Sequence, residues 1–334
     1  MRFSPWPLLF LCSCLSQAND RFVSSEIPLW RGEHHLERFE DLAGIETPVA
    51  RAPGSCRELV PSWNLTTAPD QPVLVDVAVG DAQGEWSPWM FIGSWGESGR
   101  VTEQVMESPW GKVDVDTFLA TRPFDRARLR LRTTDGEAFR GQWSRASFCF
   151  SREPGLGRPG ARPRGELELE VPYRSQRWEA EELAPRVCSP TSIAMVMQYH
   201  GRQIATAEVA ARAYDANHDL YGNWSRAVQC AFSYGFPGYV TRFSDWKSVE
   251  AHLASGRPLV VSIRVEEGEL TGAPFRSSAG HLLVLRGIAA DGRILVNDPA
   301  FPQGDQGRTA YRADELEQVW FERRRGTAYV IEAP

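Results

Sequence analysis

The sequence predicts two domains of different class, an all-β sandwich followed by an α+β unit. Three observations carry this. Apolar residues alternate with a period of two through the first half. A stretch rich in Gly, Pro and Arg, SREPGLGRPGARPRGE over residues 151–166, has no apolar pattern and divides the chain near its middle. Beyond it, helical patterns come first and strand patterns later, the order of an α+β domain. The 334 residues suffice for two cores at roughly 150 residues each.

The N-terminus reads as an export leader over residues 1–18. Arg2 precedes the apolar stretch Trp6 to Leu11, and small or polar residues follow. Cleavage after Ser16-Gln17-Ala18 would leave Asn19 first. A second reading takes Leu11-Cys12-Ser13-Cys14 as a lipobox, with Cys14 carrying lipid and attaching the chain to a membrane. Either form places the mature chain outside the reducing cytosol, in the periplasm, at the cell surface or in the medium.

Residues 25–150 read as the sandwich. In PVLVDVAVG, Val73, Val75, Val77 and Val79 share one face and Asp76 points away. RARLRLRTT alternates Ala127, Leu129 and Leu131 with Arg128, Arg130 and Arg132, and RASFCFS puts Ala146, Phe148 and Phe150 on one side. Seven Trp lie in this half: Trp30, Trp63, Trp86, Trp89, Trp95, Trp110 and Trp143. Most are expected to fill the core; an exposed set would instead offer a platform for a carbohydrate or cell-surface ligand. Cys56 and Cys149, near opposite ends of this half, are candidates for a disulfide closing a loop of about ninety residues.

After the linker (151–168), residues 169–334 form the α+β unit. VCSPTSIAMVMQYHG is its strongest helix, with Ser189 available as cap, Pro190 suited to the first turn and Gly201 to the stop. WSRAVQCAFSYG and DWKSVEAHLAS are further helices, the latter started by Ser244 or Asp245. PLVVSIRV, HLLVLRGI, RILVND and TAYVIEA are strands, and a turn at Ala290-Asp291-Gly292 makes HLLVLRGI and RILVND a hairpin.

The formal net charge of −6 argues against a nucleic-acid partner. Apolar runs beyond the leader are too short to span a membrane. The chain has no HExxH, Walker or EF-hand pattern, and adjacent His34 and His35 point apart on a strand. No metal or organic cofactor is therefore expected. Asn64-Leu65-Thr66 and Asn223-Trp224-Ser225 match the glycan acceptor pattern but carry no weight beside a leader of bacterial type. Cys230 fits no catalytic motif and reads as buried and free.

Four other residues sit where nucleophilic chemistry needs them. Cys188 lies at a helix N-terminus, whose unpaired N–H groups favour thiolate over thiol. His281 opens the strand HLLVLRGI after Gly280, which leaves room for a substrate backbone. Asp298 ends RILVND, held extended by Pro299. The hairpin brings His281 and Asp298 together as base and orienting acid. Gln176, upstream in VPYRSQRW, could join the Cys188 backbone N–H in donating to an oxyanion.

VPYRSQ, CSPTSIAMVMQYHG, GHLLVLRGI and RILVNDPA, in that order, resemble the double-glycine peptidase-like family, papain-like cysteine peptidases whose best-known members trim bacteriocin leaders. The likeness covers roughly residues 170–334. It implies a papain-like fold, with a helical lobe carrying Cys188 on an antiparallel sheet carrying His281 and Asp298. It also implies peptide-bond hydrolysis through an acyl-enzyme, with Cys188 as nucleophile, His281 as base, Asp298 as orienting acid and Gln176 as oxyanion donor. A peptide or protein is then the substrate. Ser189 follows the cysteine where many relatives have Gly, and no transporter segment is present, so the leader-peptide substrate is not carried over. An amidase or acyltransferase on the same fold, or a non-catalytic surface-binding protein, are the alternative readings.

Overall fold

The computed structural model describes residues 33–96, 101, 104–152, 163 and 165–334. The leader, with its cleavage and lipidation candidates, Trp30 and most of the linker lie outside the described residues.

The first half is all β, as the alternation demands. Its strands are β1 (His34–Leu42), β2 (Ala50–Thr67), β3 (Val73–Gly80), β4 (Met90–Trp95), β5 (Glu107–Ser108), β6 (Gly111–Asp114), β7 (Thr117–Thr133) and β8 (Gly141–Ser151). Every pairing is antiparallel, in the order β1-β8-β2-β7-β3-β4, with the β5–β6 hairpin added at β7. The long strands β2 and β7 shift register between Arg51 and Glu58, and such irregularities bend a sheet. The valines of β3 are all buried. Asp76, also buried, is neutralised by Arg130 and Arg132.

Trp63, Trp95, Trp110 and Trp143 are core residues. Gly93 is required beneath Trp63, since a Cβ there would meet the indole at 2.7 Å. Trp86 and Trp89 are half-buried under the Arg128 guanidinium. His34 bonds Ser151 while His35 lies against Phe150, on opposite faces of β1.

The candidate disulfide is not formed. Cys56 and Cys149 are buried free thiols. The shift in β2 sets Cys56 opposite Phe124 of β7, whereas Cys149 lies opposite Val60, and the Cys56 thiol donates to Gly54 O.

The second half comprises β9 (Leu167–Glu168), α1 (Cys188–Tyr199), α2 (Thr206–Ala213), α3 (Trp224–Ser233), β10 (Gly238–Arg242), α4 (Trp246–Ala254), β11 (Leu259–Val265), β12 (Ser278–Ile288), β13 (Ile294–Asn297), β14 (Arg308–Tyr311) and β15 (Thr327–Ile331). Its sheet runs β10-β15-β11-β12-β13-β14, with β9 beside β12. The sheet thus takes up Leu167 and Glu168, from the end of the stretch read as linker. Helix α3 is capped by Asn223 and α4 by Asp245. Ser189 does not cap α1: Val187 holds that position without a side-chain bond, and the Ser189 hydroxyl faces Tyr329 OH at 3.3 Å. Cys188 is therefore the first helical residue. Asn64 and Asn223 are buried, bonded to Gly238 N and Asp215, where a glycan has no room.

The two domains pack through buried polar contacts. β10 is an edge strand, and its free N–H groups at Gly238 and Val240 are taken by Asn64 Oδ1 (3.1 Å) and Ser62 Oγ (3.0 Å) of β2. Gln229 of α3 bonds both backbone groups of Leu65, at 2.7 and 2.8 Å, where β2 slips register against β8.

Candidate active site

Cys188 is placed by its helix and His281 by its strand, and one bond joins the two. Ile193 to Met197 bury α1 in the domain core. One turn beyond Cys188, the Ser192 hydroxyl donates to the carbonyl of Leu282, 3.2 Å away and next to His281. The expected hairpin forms, with Val284 opposite Asn297 and Ile288 opposite Ile294. Asp298 then follows β13 in position to meet His281.

Asp298 is 0% exposed. Its Oδ1 lies 2.7 Å from His281 Nε2 and accepts the Ala300 N–H at 2.9 Å, and its Oδ2 accepts the Tyr311 hydroxyl at 2.7 Å. Burial raises the carboxyl pKa, but the His281 charge and these donors together hold it below the usual range. His281 shows the opposite balance. Burial lowers its pKa, and the Asp298 charge and hydrogen bond, with Cys188, carry it well above an ordinary imidazole. Since Nε2 serves Asp298, Nδ1 is the nitrogen left for the thiol. Phe275 packs edge-on against the ring at 5.0 Å.

Burial likewise opposes ionisation of Cys188. Even so, hydrogen bonding and attraction from His281, with the backbone N–H groups of Leu282 and Ser189, bring the thiol pKa below its ordinary value. At Cys230 burial outweighs the pull of Arg212 and Arg226 and pushes the thiol up to about 12.

Gln176 sits in a short turn (Gln176–Trp178) tied to the Asp298 segment by its own N–H, which donates to Pro299 O at 2.9 Å. Its side-chain Nε2 donates to Ala184 O at 2.7 Å, while Oε1 is buried without a partner. One amide N–H is thus engaged within the fold and the second remains. Sequence reasoning missed Tyr311 and Ser192, which hold Asp298 and α1 in place. A tyrosine on a short strand and a serine inside a helix carry no local mark of such roles.

Cys188 borders a cleft of about 510 Å³ lined by both domains. The C-terminal-domain side includes Arg186, Tyr221, Gly280 and Arg324. The N-terminal domain contributes the β6–β7 turn, Asp114 to Thr117. Val115 at its tip has φ +58°, a left-handed conformation uncommon for a β-branched residue. Asp116 anchors the turn: its Oδ2 accepts the Trp224 N–H at the start of α3. Burial pushes this carboxyl up to about 6, against the pull of Trp224 and Thr117. Nothing in the first half of the sequence marked these residues, because their role depends on docking to the other domain.

Residues 168–328 match the Peptidase C39-like family, and residues 32–151 match the Peptidase C39 N-terminal domain. The chain belongs to the C39-like peptidases, relatives of the papain-like bacteriocin-processing peptidases, and carries a C39 N-terminal domain ahead of the peptidase-like one. A crystal structure described as a C39-like peptidase from Bacillus anthracis is 18% identical, with a TM-score of 0.38 over 50% of this chain and 97% of that one. A structure of the infectious bursal disease virus Gx strain is 9% identical, with a TM-score of 0.19 over 36% of this chain and 34% of that one. No curated protein matches the chain.

Proposed function

We propose that the protein is an exported cysteine peptidase with Cys188 as nucleophile. The observation that carries this reading is the buried relay of Tyr311, Asp298 and His281, which ends beside a thiol at the start of α1 in an open cleft. The thiolate attacks the scissile carbonyl, forming a C–S bond and moving the carbonyl electron pair onto oxygen. The Cys188 backbone N–H and the free N–H of Gln176 donate to that oxyanion. As the C–N bond breaks, imidazolium gives its proton to the leaving amine, and the acyl group stays on sulfur. Neutral His281 then takes a proton from water, which attacks the thioester and releases the acid and Cys188. Asp298 holds the ring orientation and stabilises the imidazolium. Export rests on the leader-like residues 1–18.

Incubating the purified protein with a peptide library, and sequencing new termini by mass spectrometry, tests the reading. New termini should appear with the native protein and vanish with Cys188→Ala. A Cys188→Ala protein that cleaves equally well overturns it. Products joined to an added amine instead of water would mark an acyltransferase.

A further inference from the structure

Three consecutive arginines, Arg323, Arg324 and Arg325, border the Cys188 cleft, and they are not equivalent. Arg323 is neutralised by Glu266 and Glu269. Arg325, turned by a left-handed backbone (φ +53°), pairs with Glu58 and donates to Arg152 O. Arg324 makes no ion pair among the described residues. Its Nη2 donates to the Ala279 carbonyl, and its Nε is buried with no partner.

The guanidinium lies against the residue before the candidate base: a Cβ on Gly280 would come within 2.9 Å of Arg324 Nη2. Glycine at 280 thus makes room for this cation beside His281. The carboxylates nearby are largely engaged elsewhere. Asp116 holds Trp224 N, Asp219 holds Arg186 and Tyr214, and Glu58 holds Arg242 and Arg325. Asp114 remains on the β6–β7 turn, exposed to water. A half-buried guanidinium in a cleft, with no ion pair among the described residues and with Asp116 attracting it only from beyond ion-pair distance, can receive a planar anion from outside.

We propose that Arg324 is a specificity-determining residue that receives a carboxylate of the substrate, an acidic side chain flanking the bond presented to Cys188. The proposal rests on Cys188 being the nucleophile, but one test of it needs no substrate. Cys188 is alkylated by iodoacetate, an anion, and by iodoacetamide, its neutral counterpart. In each case a C–S bond forms, a C–I bond breaks and iodide leaves. The ratio of the two rates, followed by mass spectrometry of the Cys188 peptide, reports whether the cleft gathers carboxylates.

Arg324→Gln should lower the iodoacetate-to-iodoacetamide ratio roughly tenfold while leaving the iodoacetamide rate within about twofold. Arg324→Lys, which keeps the charge, should retain most of the ratio. Arg140→Gln, which removes an exposed cation paired with Asp70 on the N-terminal domain, should leave it unchanged. If Arg324→Gln also slows iodoacetamide, the lysine variant decides: a ratio as low as in Arg324→Gln overturns the proposal. An unchanged ratio in Arg324→Gln overturns it outright. With peptides, native protein should prefer Glu-containing over Gln-containing substrates, and Arg324→Gln should erase that preference. Cleavage through Cys188 without any such preference sinks the Arg324 assignment and leaves the peptidase reading standing, whereas no cleavage of either peptide, with the alkylation ratio still dependent on Arg324, sinks the peptidase reading alone.

Discussion

Asp298 decides the state of His281, and through it the state of Cys188. On the proposed mechanism imidazolium protonates the leaving amine, so hydrolysis is expected to be lost as pH rises through about 10, the folded pKa of His281. Asp298→Asn removes the charge that raises this pKa. The alkaline limb of the pH–rate profile should then move down, and kcat should fall by roughly 10²-fold or more. Tyr311→Phe is gentler. It strips Asp298 Oδ2 of its hydroxyl donor and should lower stability by about 1–3 kcal/mol in denaturant titrations, while Cys188-dependent turnover persists. At this scale the sequence was most informative. The helix start at Cys188 and the strand that Asp298 follows were legible, and the structure brings both residues to His281, which lies three residues inside β12 rather than at its start. Tyr311 and Ser192 were not legible, because their bonds depend on contacts between elements.

Among the elements, those with a full period were legible and the short ones were not. Helix α1 follows from its long apolar run, α3 from its stripe and α4 from its Asp245 cap, and β3, β7 and β8 follow from alternation. The two-turn helix α2, the four-residue β14 and the two-residue β9 carry too few residues to establish a period. Ser189 misled as a cap because its hydroxyl is drawn to Tyr329 by tertiary packing. Gln229 shows how one element mends another. Its amide completes the backbone of Leu65 where the β2–β8 ladder slips. Gln229→Leu would keep the volume but orphan a buried N–H and a buried C=O. A loss of about 2–5 kcal/mol is expected in equilibrium unfolding; an unchanged midpoint would mean that water reaches Leu65.

At the scale of the molecule, the composition suggested two beads on a linker, and the structure instead joins them closely. β2 covers the open edge of β10, Arg145 pairs with Glu332, and Asp116 reaches the N-terminus of α3. The sequence could not disclose this, since Asn64, Ser62 and Asp116 look like ordinary strand and turn residues until their partners are in place. Residues 165–334 produced alone should expose the β10 edge and associate, and the full chain should unfold in one calorimetric transition. Two well-separated transitions would show that the interface contributes little. The β6–β7 turn, on this account, is a wall of the cleft, so the N-terminal domain shapes what Cys188 meets. The central claim remains that the intact chain holds Cys188 as a thiolate paired with His281. Its most direct test is the iodoacetamide rate at Cys188 in the full chain, from about pH 5 to 8, against His281→Ala. The account predicts fast alkylation persisting well below the pKa of an ordinary thiol, and its loss in the variant. A native rate that climbs only as a free cysteine would, unaffected by His281→Ala, would contradict it.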